Sequence, residues 1–377
     1  MFLLRLDDEL ALALRERHHA PALAALIGAN REHLARWFAW APTADEATAC
    51  GWADASLDQF RRGDGWHATL LERGVGIGSV ALHYLDRTRG VTEIGYWLAE
   101  DAQGRGLMTR TLAALLPYFL VGHDLNKVVI GVTPENARSA ALPERLGFTR
   151  EARVRAVHGG PGGTRGDLVF YGLLREEWRE AKAAGAVPAR VARLPRFALE
   201  SDDGVQVALL EAADARELAA LVNADADHLA PWFPWVEGAS EASVRAFIEE
   251  RALTALAAGE GFEAGVWLDG RLGGAVGVHD VDVRAGRGQI GYWIAREHQG
   301  RGVITRAVRR VMRRQFRDLG FRKLEIRADA ANLRSRAVAE RLGFTFEGTL
   351  RRALWNGREA VDQVVYGLLR EEWERGA

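Results

Sequence analysis

Two glycine-bearing turns are the first residues in this chain whose types and spacing suit chemistry. They read Gln103-Gly104-Arg105-Gly106-Leu107-Met108-Thr109 and Gln299-Gly300-Arg301-Gly302-Val303-Ile304-Thr305. Each stands between a strand-like run and the start of a helix-like one. Paired glycines let backbone amides turn toward a ligand without side-chain interference. A helix N-terminus adds free N–H groups and a partial positive charge, which suit a pyrophosphate. Neither turn has the Gly-Lys-Ser/Thr ending of a triphosphate loop or the spacing of a dinucleotide fingerprint. A plain tight turn fits the same residues, so the turns alone leave both readings open. The aromatic run Trp232-Phe233-Pro234-Trp235 is a second candidate. It reads either as a hydrophobic lid on a sheet or as one wall, through Trp232 and Trp235, of a cleft for a peptide or small amphipathic amine.

The turns occur twice because the chain is written twice. Glu93–Ala156 aligns without a gap on Gln289–Arg352, with 25 of 64 positions identical, too many for chance in segments of this length. Both halves end in Tyr-Gly-Leu-Leu-Arg-Glu-Glu-Trp, and His33-Leu34-Ala35-Arg36-Trp37-Phe38-Ala39-Trp40 parallels His228–Trp235. A repeat of about 190 residues is far longer than solenoid periods, so each copy should be a domain with its own core. The expected division is residues 1–183, a linker at 184–195 rich in Ala, Arg and Pro, and residues 196–377.

Composition agrees with two soluble domains: 377 residues, 48% apolar and 27% charged. Fifty basic residues against 51 acidic ones leave a net charge of −1, without the surplus that binding nucleic acid or an anionic membrane surface requires. No apolar run approaches the roughly 20 residues of a membrane span. The start Met1-Phe2-Leu3-Leu4-Arg5-Leu6-Asp7-Asp8 acquires acids too early for a secretory leader. A single cysteine, Cys50, excludes an intrachain disulfide and a cysteine-rich zinc site. A cytosolic protein without a metal site is expected.

The elements that must position these turns are legible in the second copy. Val205–Leu210 reads as a strand, and residues 212–222 and 241–258 show helical spacing. Asp269-Gly270 marks a hairpin between Glu263–Leu268 and Arg271–Asp282. Gln289–Ala295 continues that meander. Val303–Leu319 reads as an amphipathic helix whose opposite face carries Arg306, Arg309, Arg310, Arg313, Arg314 and Arg317 and is expected to be solvated. Lys323–Ala328 is then a strand, Leu333–Leu342 a helix, and two closing strands meet at Asn356-Gly357. The predicted class is α+β, with a mixed sheet flanked by about four helices in each copy.

Taken in order, Gly-Tyr-Trp-(Ile/Leu)-Ala, Gln-Gly-Arg-Gly, Asn332-Leu333-Arg334-Ser335 and Glu340-Arg341-Leu342-Gly343-Phe344 resemble the Gcn5-related N-acetyltransferase (GNAT) superfamily. The Trp-Phe-Pro-Trp element and the Asn-x-x-Ser spacing resemble its RimJ/RimL branch of ribosomal-protein N-terminal acetyltransferases. The resemblance spans nearly the whole chain, twice. It implies that Gln299–Thr305 and Gln103–Thr109 cradle the pyrophosphate of acetyl-coenzyme A. It implies further that Ile290–Ala295 splays from Lys323–Ala328 to admit the pantetheine arm. An N–H at Ile294 or Ala295 would then polarise the thioester oxygen. Asn332, with Asn136 in the first copy, would contact the cofactor arm while capping its helix. Ser335, with Ser139, would protonate the departing thiolate.

Direct transfer in a ternary complex needs a neutral amine. At pH 7 an α-amino group is ~14% neutral and a lysine ~0.04%, a difference of ~3.5 kcal/mol, so a lysine needs a positioned base where an N-terminus needs little help. Where family members carry an acid before the last hairpin, these copies have Ala353-Leu354-Trp355 and Ala156-Val157-His158. His279 and Asp282, paralleled by His83 and Asp86, are the alternatives, with Tyr292 and Asp282 expected at the acceptor. The first copy also carries Pro143 inside a predicted helix, where an interior proline costs about 3 kcal/mol, and a loose His158–Gly163 loop in place of Asn356-Gly357. The C-terminal copy is therefore expected to be the better catalyst. The acceptor is a small amine, such as an antibiotic, or a protein N-terminus. The chain is expected as a monomer of pseudo-dimeric halves or a homodimer. The rival reading is a non-catalytic module that binds acyl-coenzyme A or a peptide.

Overall fold

The computed structural model describes residues 1–159, 164–183, 196–201 and 203–376. The proposed linker at 184–195 and Gly160–Gly163 of the loose loop lie outside the described residues. The chain forms two compact units, Leu3–Phe197 and Met1–Phe2 with Ala198–Ala377.

The N-terminal repeat contains β1 (Leu3–Arg5), β2 (Leu10–Leu14), β3 (His67–Glu72), β4 (Val75–Asp86), β5 (Val91–Leu98), β6 (Lys127–Val132), β7 (Thr149–Gly159) and β8 (Arg165–Leu174). Their sheet order is β1-β2-β3-β4-β5-β6-β8-β7. The C-terminal repeat contains β9 (Ala198–Leu199), β10 (Val205–Leu209), β11 (Phe262–Leu268), β12 (Arg271–Asp282), β13 (Arg287–Ile294), β14 (Lys323–Asp329), β15 (Thr345–Trp355) and β16 (Ala360–Leu369). Its order is β9-β10-β11-β12-β13-β14-β16-β15. The α+β reading and the mixed sheet hold in both repeats.

Local chemistry accounts for the joints. Asp269 and Gly270 both adopt positive φ, +48° and +80°, the pairing a two-residue hairpin of this twist demands. Asn356 accepts hydrogen bonds from the Arg358 and Glu359 amides at 3.0 Å and so closes the last hairpin. Within each sheet one strand pair is parallel. β13 meets β14 at Arg287/Lys323, Gly288/Leu324 and Gln289/Glu325 and then parts from it, although both strands run on. β5 and β6 do the same at Val91/Lys127, Thr92/Val128 and Glu93/Val129. The predicted splay is therefore present twice.

Two expectations need correction. The arginine face of the helix Val303–Arg313 is not simply solvated. Arg310 is buried and bonds the Glu200 carbonyl at 3.0 Å and Asp203 at 2.5 Å. Arg314, also buried, lies over the Phe2 and Phe262 rings at 4.6 and 5.5 Å. Nor does Pro143 break its helix. Ala137–Arg145 is as long as Leu333–Arg341, nine residues each, and both are capped by an asparagine. Pro143 falls in the last turn and leaves the Ser139 carbonyl without its helical N–H. The Tyr96 hydroxyl donates to that carbonyl at 3.2 Å instead.

Candidate active site

The glycine turns are built as the phosphate reading requires. Gly104 and Gly106 hold φ at +73°, and Gly300 and Gly302 at +71° and +68°. Only glycine takes these values without strain, and a β-carbon at any of the four would project into open space. Gly106 and Gly302 are the residues that start the helices Leu107–Pro117 and Val303–Arg313. The side chains of Val303 and Ile304 turn into the core, leaving backbone N–H groups at the turn. Thr109 and Thr305 accept hydrogen bonds from Arg145 and Arg341 at 3.0 and 3.1 Å, which ties each turn to the Arg-Leu-Gly-Phe segment.

The glutamine of each turn supports the loop through its side chain. Gln103 Nε2 lies 2.6 Å from His33 Nε2, and Arg138 donates to its Oε1 at 2.9 Å. Gln299 repeats the arrangement with His228 and Arg334. Sequence reasoning used both histidines as repeat markers and missed this role. The two turns differ at the arginine. Arg105 is gripped by both Glu72 oxygens at 2.9 and 2.5 Å, whereas no carboxylate among the described residues pairs with Arg301. The cause is one substitution, since Leu268 stands at the strand end where Glu72 stands.

At the gap, hydrogen bonding alternates along β13. Ala295 donates to the Gly273 carbonyl at 2.8 Å, so its N–H is engaged and cannot serve the thioester oxygen as expected. The same alternation turns the Ile294 N–H toward the gap. Beside it the Tyr292 hydroxyl donates to the Ser335 carbonyl at 3.0 Å and lies 3.2 Å from Ser335 Oγ. Burial pushes the Tyr292 phenol up to about 12, so it remains a proton carrier. Tyr96 and Ser139 repeat the pair at 3.2 Å. Asn332 and Asn136 accept from the Ser335 and Ser139 amides at 3.1 Å, the capping role.

Tyr292 and Trp293 point to opposite faces of the strand. Tyr292, expected at the acceptor, faces Ser335, and Trp293 faces the other way, its ring 6.3 Å from that of Trp235. Trp235 is 50% exposed, and Trp232 is partly buried. Pro234 lies against Gly357, which joins the last hairpin to this aromatic segment. In the first copy Trp40 packs on both Trp52 and Trp97, at 5.1 and 6.4 Å, within an apolar cluster. The lid reading thus fits the first copy more closely than the second.

On the Trp293 face a row of residues crosses the C-terminal sheet: Leu210, Glu263, Gly277, Gly291. The two glycines leave a trough. Glu263 leans over Gly277 and the His279 ring over Gly291, where a β-carbon would collide with either at 2.4 and 2.9 Å. Burial raises the Glu263 carboxyl to about 7 despite Arg251 nearby. Sequence reasoning missed Glu263 because an acid inside a strand reads as an ordinary exposed position. Asp282 is not brought here. It accepts from the Ala285 amide at 2.9 Å in the turn after β12, opposite Arg287 at the far end of β13 from Ile294, and Asp86 caps the equivalent turn through Arg89.

The order of elements, the twin splays and the turns define an acyltransferase fold, and a family comparison agrees. The "Acetyltransferase (GNAT) domain" matches residues 10–149 and 206–345, and the chain belongs to this family. It is an N-acetyltransferase carrying two copies of the domain. The "Putative ribosomal N-acetyltransferase YdaF" of Bacillus subtilis is 36% identical over 47% of this chain and 98% of its own length. The ribosomal-protein-serine acetyltransferase of Escherichia coli is 28% identical over 40% of this chain and 86% of its own. Among solved structures, RimL, a ribosomal L7/L12 alpha-N-protein acetyltransferase in complex with coenzyme A, is 22% identical. It covers 46% of this chain and 97% of its own, with a TM-score of 0.43. No helix among the described residues is long and apolar enough to cross a membrane.

Proposed function

We propose that the chain transfers the acetyl group of acetyl-coenzyme A directly to a primary amine, chiefly in its C-terminal repeat. The observation that carries this reading is the β13/β14 gap, which opens between a glycine-capped helix and the Tyr292–Ser335 pair. Bound there, acetyl-coenzyme A supplies the activated acyl group. Gln299–Thr305 holds the diphosphate through backbone N–H groups, with Arg301 at hand for a phosphate oxygen. The Ile294 N–H stabilises the oxygen that becomes negative as the amine adds. Ser335 and Tyr292 deliver the proton to the leaving sulfur.

Glu263, ionised above about pH 7, takes the amine proton directly or through His279. Trp235 and Trp293 wall the acceptor cleft. A carboxylate of this basicity makes a small basic amine a workable acceptor and so favours it over a protein N-terminus, which needs less help. Thiol release from acetyl-coenzyme A is the test, run on an amine and peptide panel with mass spectrometry of the products. A chain that binds coenzyme A and releases no thiol with any amine sinks the reading.

A further inference from the structure

The row that crosses the C-terminal sheet as Leu210, Glu263, Gly277 and Gly291 reads differently in the N-terminal sheet. There it runs Arg15, His67, Ala81, Gly95. Arg15 extends β2 and donates its backbone N–H to the His67 carbonyl at 3.2 Å, which sets the two side chains on one face. That face also carries Ser79, the register partner of Trp97, and the His83 ring lying on Gly95. The aromatic floor and the histidine are thus kept in both copies, while the charges between them are exchanged. Arg15 replaces Leu210, His67 replaces Glu263, Ser79 replaces Ala275, and Glu93 replaces Gln289.

Arg15 is the unusual member. It is 5% exposed, and its Nη2 donates to Ser79 Oγ at 2.5 Å, while the Ser79 hydroxyl donates in turn to the Ala68 carbonyl at 3.0 Å. Its Nε is buried with no hydrogen-bond partner, and no carboxylate among the described residues pairs with it. Burial alone pulls its guanidinium down to about 10, which leaves it charged at neutral pH. His67 offers no counter-charge, because burial with Arg15 and His83 nearby pushes it to about 3 and keeps it neutral. A buried cation without a counter-charge is unfavourable, and an apolar residue of similar size is commonly better tolerated. The C-terminal copy shows that alternative in Leu210.

We infer that the N-terminal cleft takes a different acceptor from the C-terminal one: an amine that also carries a carboxylate or phosphate, which the guanidinium of Arg15, held in place by Ser79, binds. The inference rests on the acetyltransferase reading above. Ser79 lies one strand across from β5, whose far edge is the gap, so the anionic group sits roughly 5–10 Å from the reacting amine. Glu93 lies at the mouth of that gap, beside Gly131.

The test uses the full chain carrying Gly302→Val, so that acetyl transfer reports the N-terminal repeat. Butylamine is compared with 4-aminobutyrate and with O-phosphoethanolamine. We expect the KM of at least one anionic amine to fall tenfold or more below that of butylamine. Arg15→Met should erase the preference while changing the butylamine KM less than twofold, and Arg15→Lys should keep part of it. Equal KM values for all three amines in the Gly302→Val chain overturn the inference without need of any Arg15 variant. So does an Arg15→Met chain that loses all three equally. Transfer to butylamine with no anionic preference leaves the acetyltransferase reading standing. A parent chain that releases no thiol with any amine overturns both.

Discussion

In the proposed reaction Glu263 is the base that the turns and the gap do not supply. A carboxyl held at about 7 by burial is half ionised near neutrality and loses its catalytic form on acidification. In a chain carrying Gly106→Val, kcat should therefore rise with pH through about 7. Glu263→Gln should lower kcat by ~10²-fold or more and flatten that limb, leaving the affinity for coenzyme A unchanged. A Gln variant that keeps both the rate and the pH limb would assign the base elsewhere. At the phosphate turn, Arg301 lacks the acid that holds Arg105. Arg301→Ala should weaken coenzyme A binding about fivefold, the worth of a ~1 kcal/mol charge-assisted contact. Arg105→Ala should change it less. Glu72→Gln should release Arg105 and strengthen the N-terminal site, as calorimetric titration would show.

At the scale of single elements, the two asparagine-capped helices look alike but are held differently. The helical ladder gives the Ser335 carbonyl the N–H of Ala339 as well as the Tyr292 hydroxyl. Pro143 has no N–H, so the Ser139 carbonyl depends on Tyr96. Tyr96→Phe should therefore cost the N-terminal repeat ~1–2 kcal/mol more than Tyr292→Phe costs the C-terminal one, measured by denaturant unfolding. Pro143→Ala should remove most of that difference. An equal cost for the two tyrosines would show that Tyr96 is not the substitute donor. The glycine turns respond to shape. Gly302→Val forces a β-branched residue to φ near +68° and should abolish C-terminal coenzyme A binding with the fold retained.

For the whole molecule, the exchanged charges give the two repeats opposite responses to acid. Glu263 has a folded value above the ordinary 4.5, so its stabilising contribution is present below about 4.5 and is lost as pH rises toward about 7. His67 has a folded value of about 3 against an ordinary 6.5. Its contribution is present above 6.5 and is lost as pH falls toward about 3. The gain in Tm on Glu263→Gln should thus grow between pH 5 and 7, and the gain on His67→Gln should grow below pH 6.5. Calorimetry of the two variants against the parent chain reads both slopes. Parallel slopes would contradict the environments described for these groups.

How much of this was readable in advance follows from the range of the interactions involved. The Asp269-Gly270 hairpin, the glycine turns and the Asn-x-x-Ser caps depend on residues a few positions apart, while the repeat and the order of elements behind the mixed sheet are read along the whole chain from composition and spacing. The splay was foreseen only through family resemblance. What tertiary structure alone decided are contacts between residues distant in sequence. Gln299 meets His228, and Tyr292 meets Ser335. Glu263 and His279 share a trough made by glycines on two strands. Asp282 was misplaced because only strand register shows which end of β13 it faces. Ala295 was misassigned because alternation along the ladder, set by the neighbouring strand, decides which N–H groups face the gap. Burial is likewise a property of the folded sheet, so neither the raised carboxyl of Glu263 nor the solitary charge of Arg15 could be seen before the strands were laid side by side.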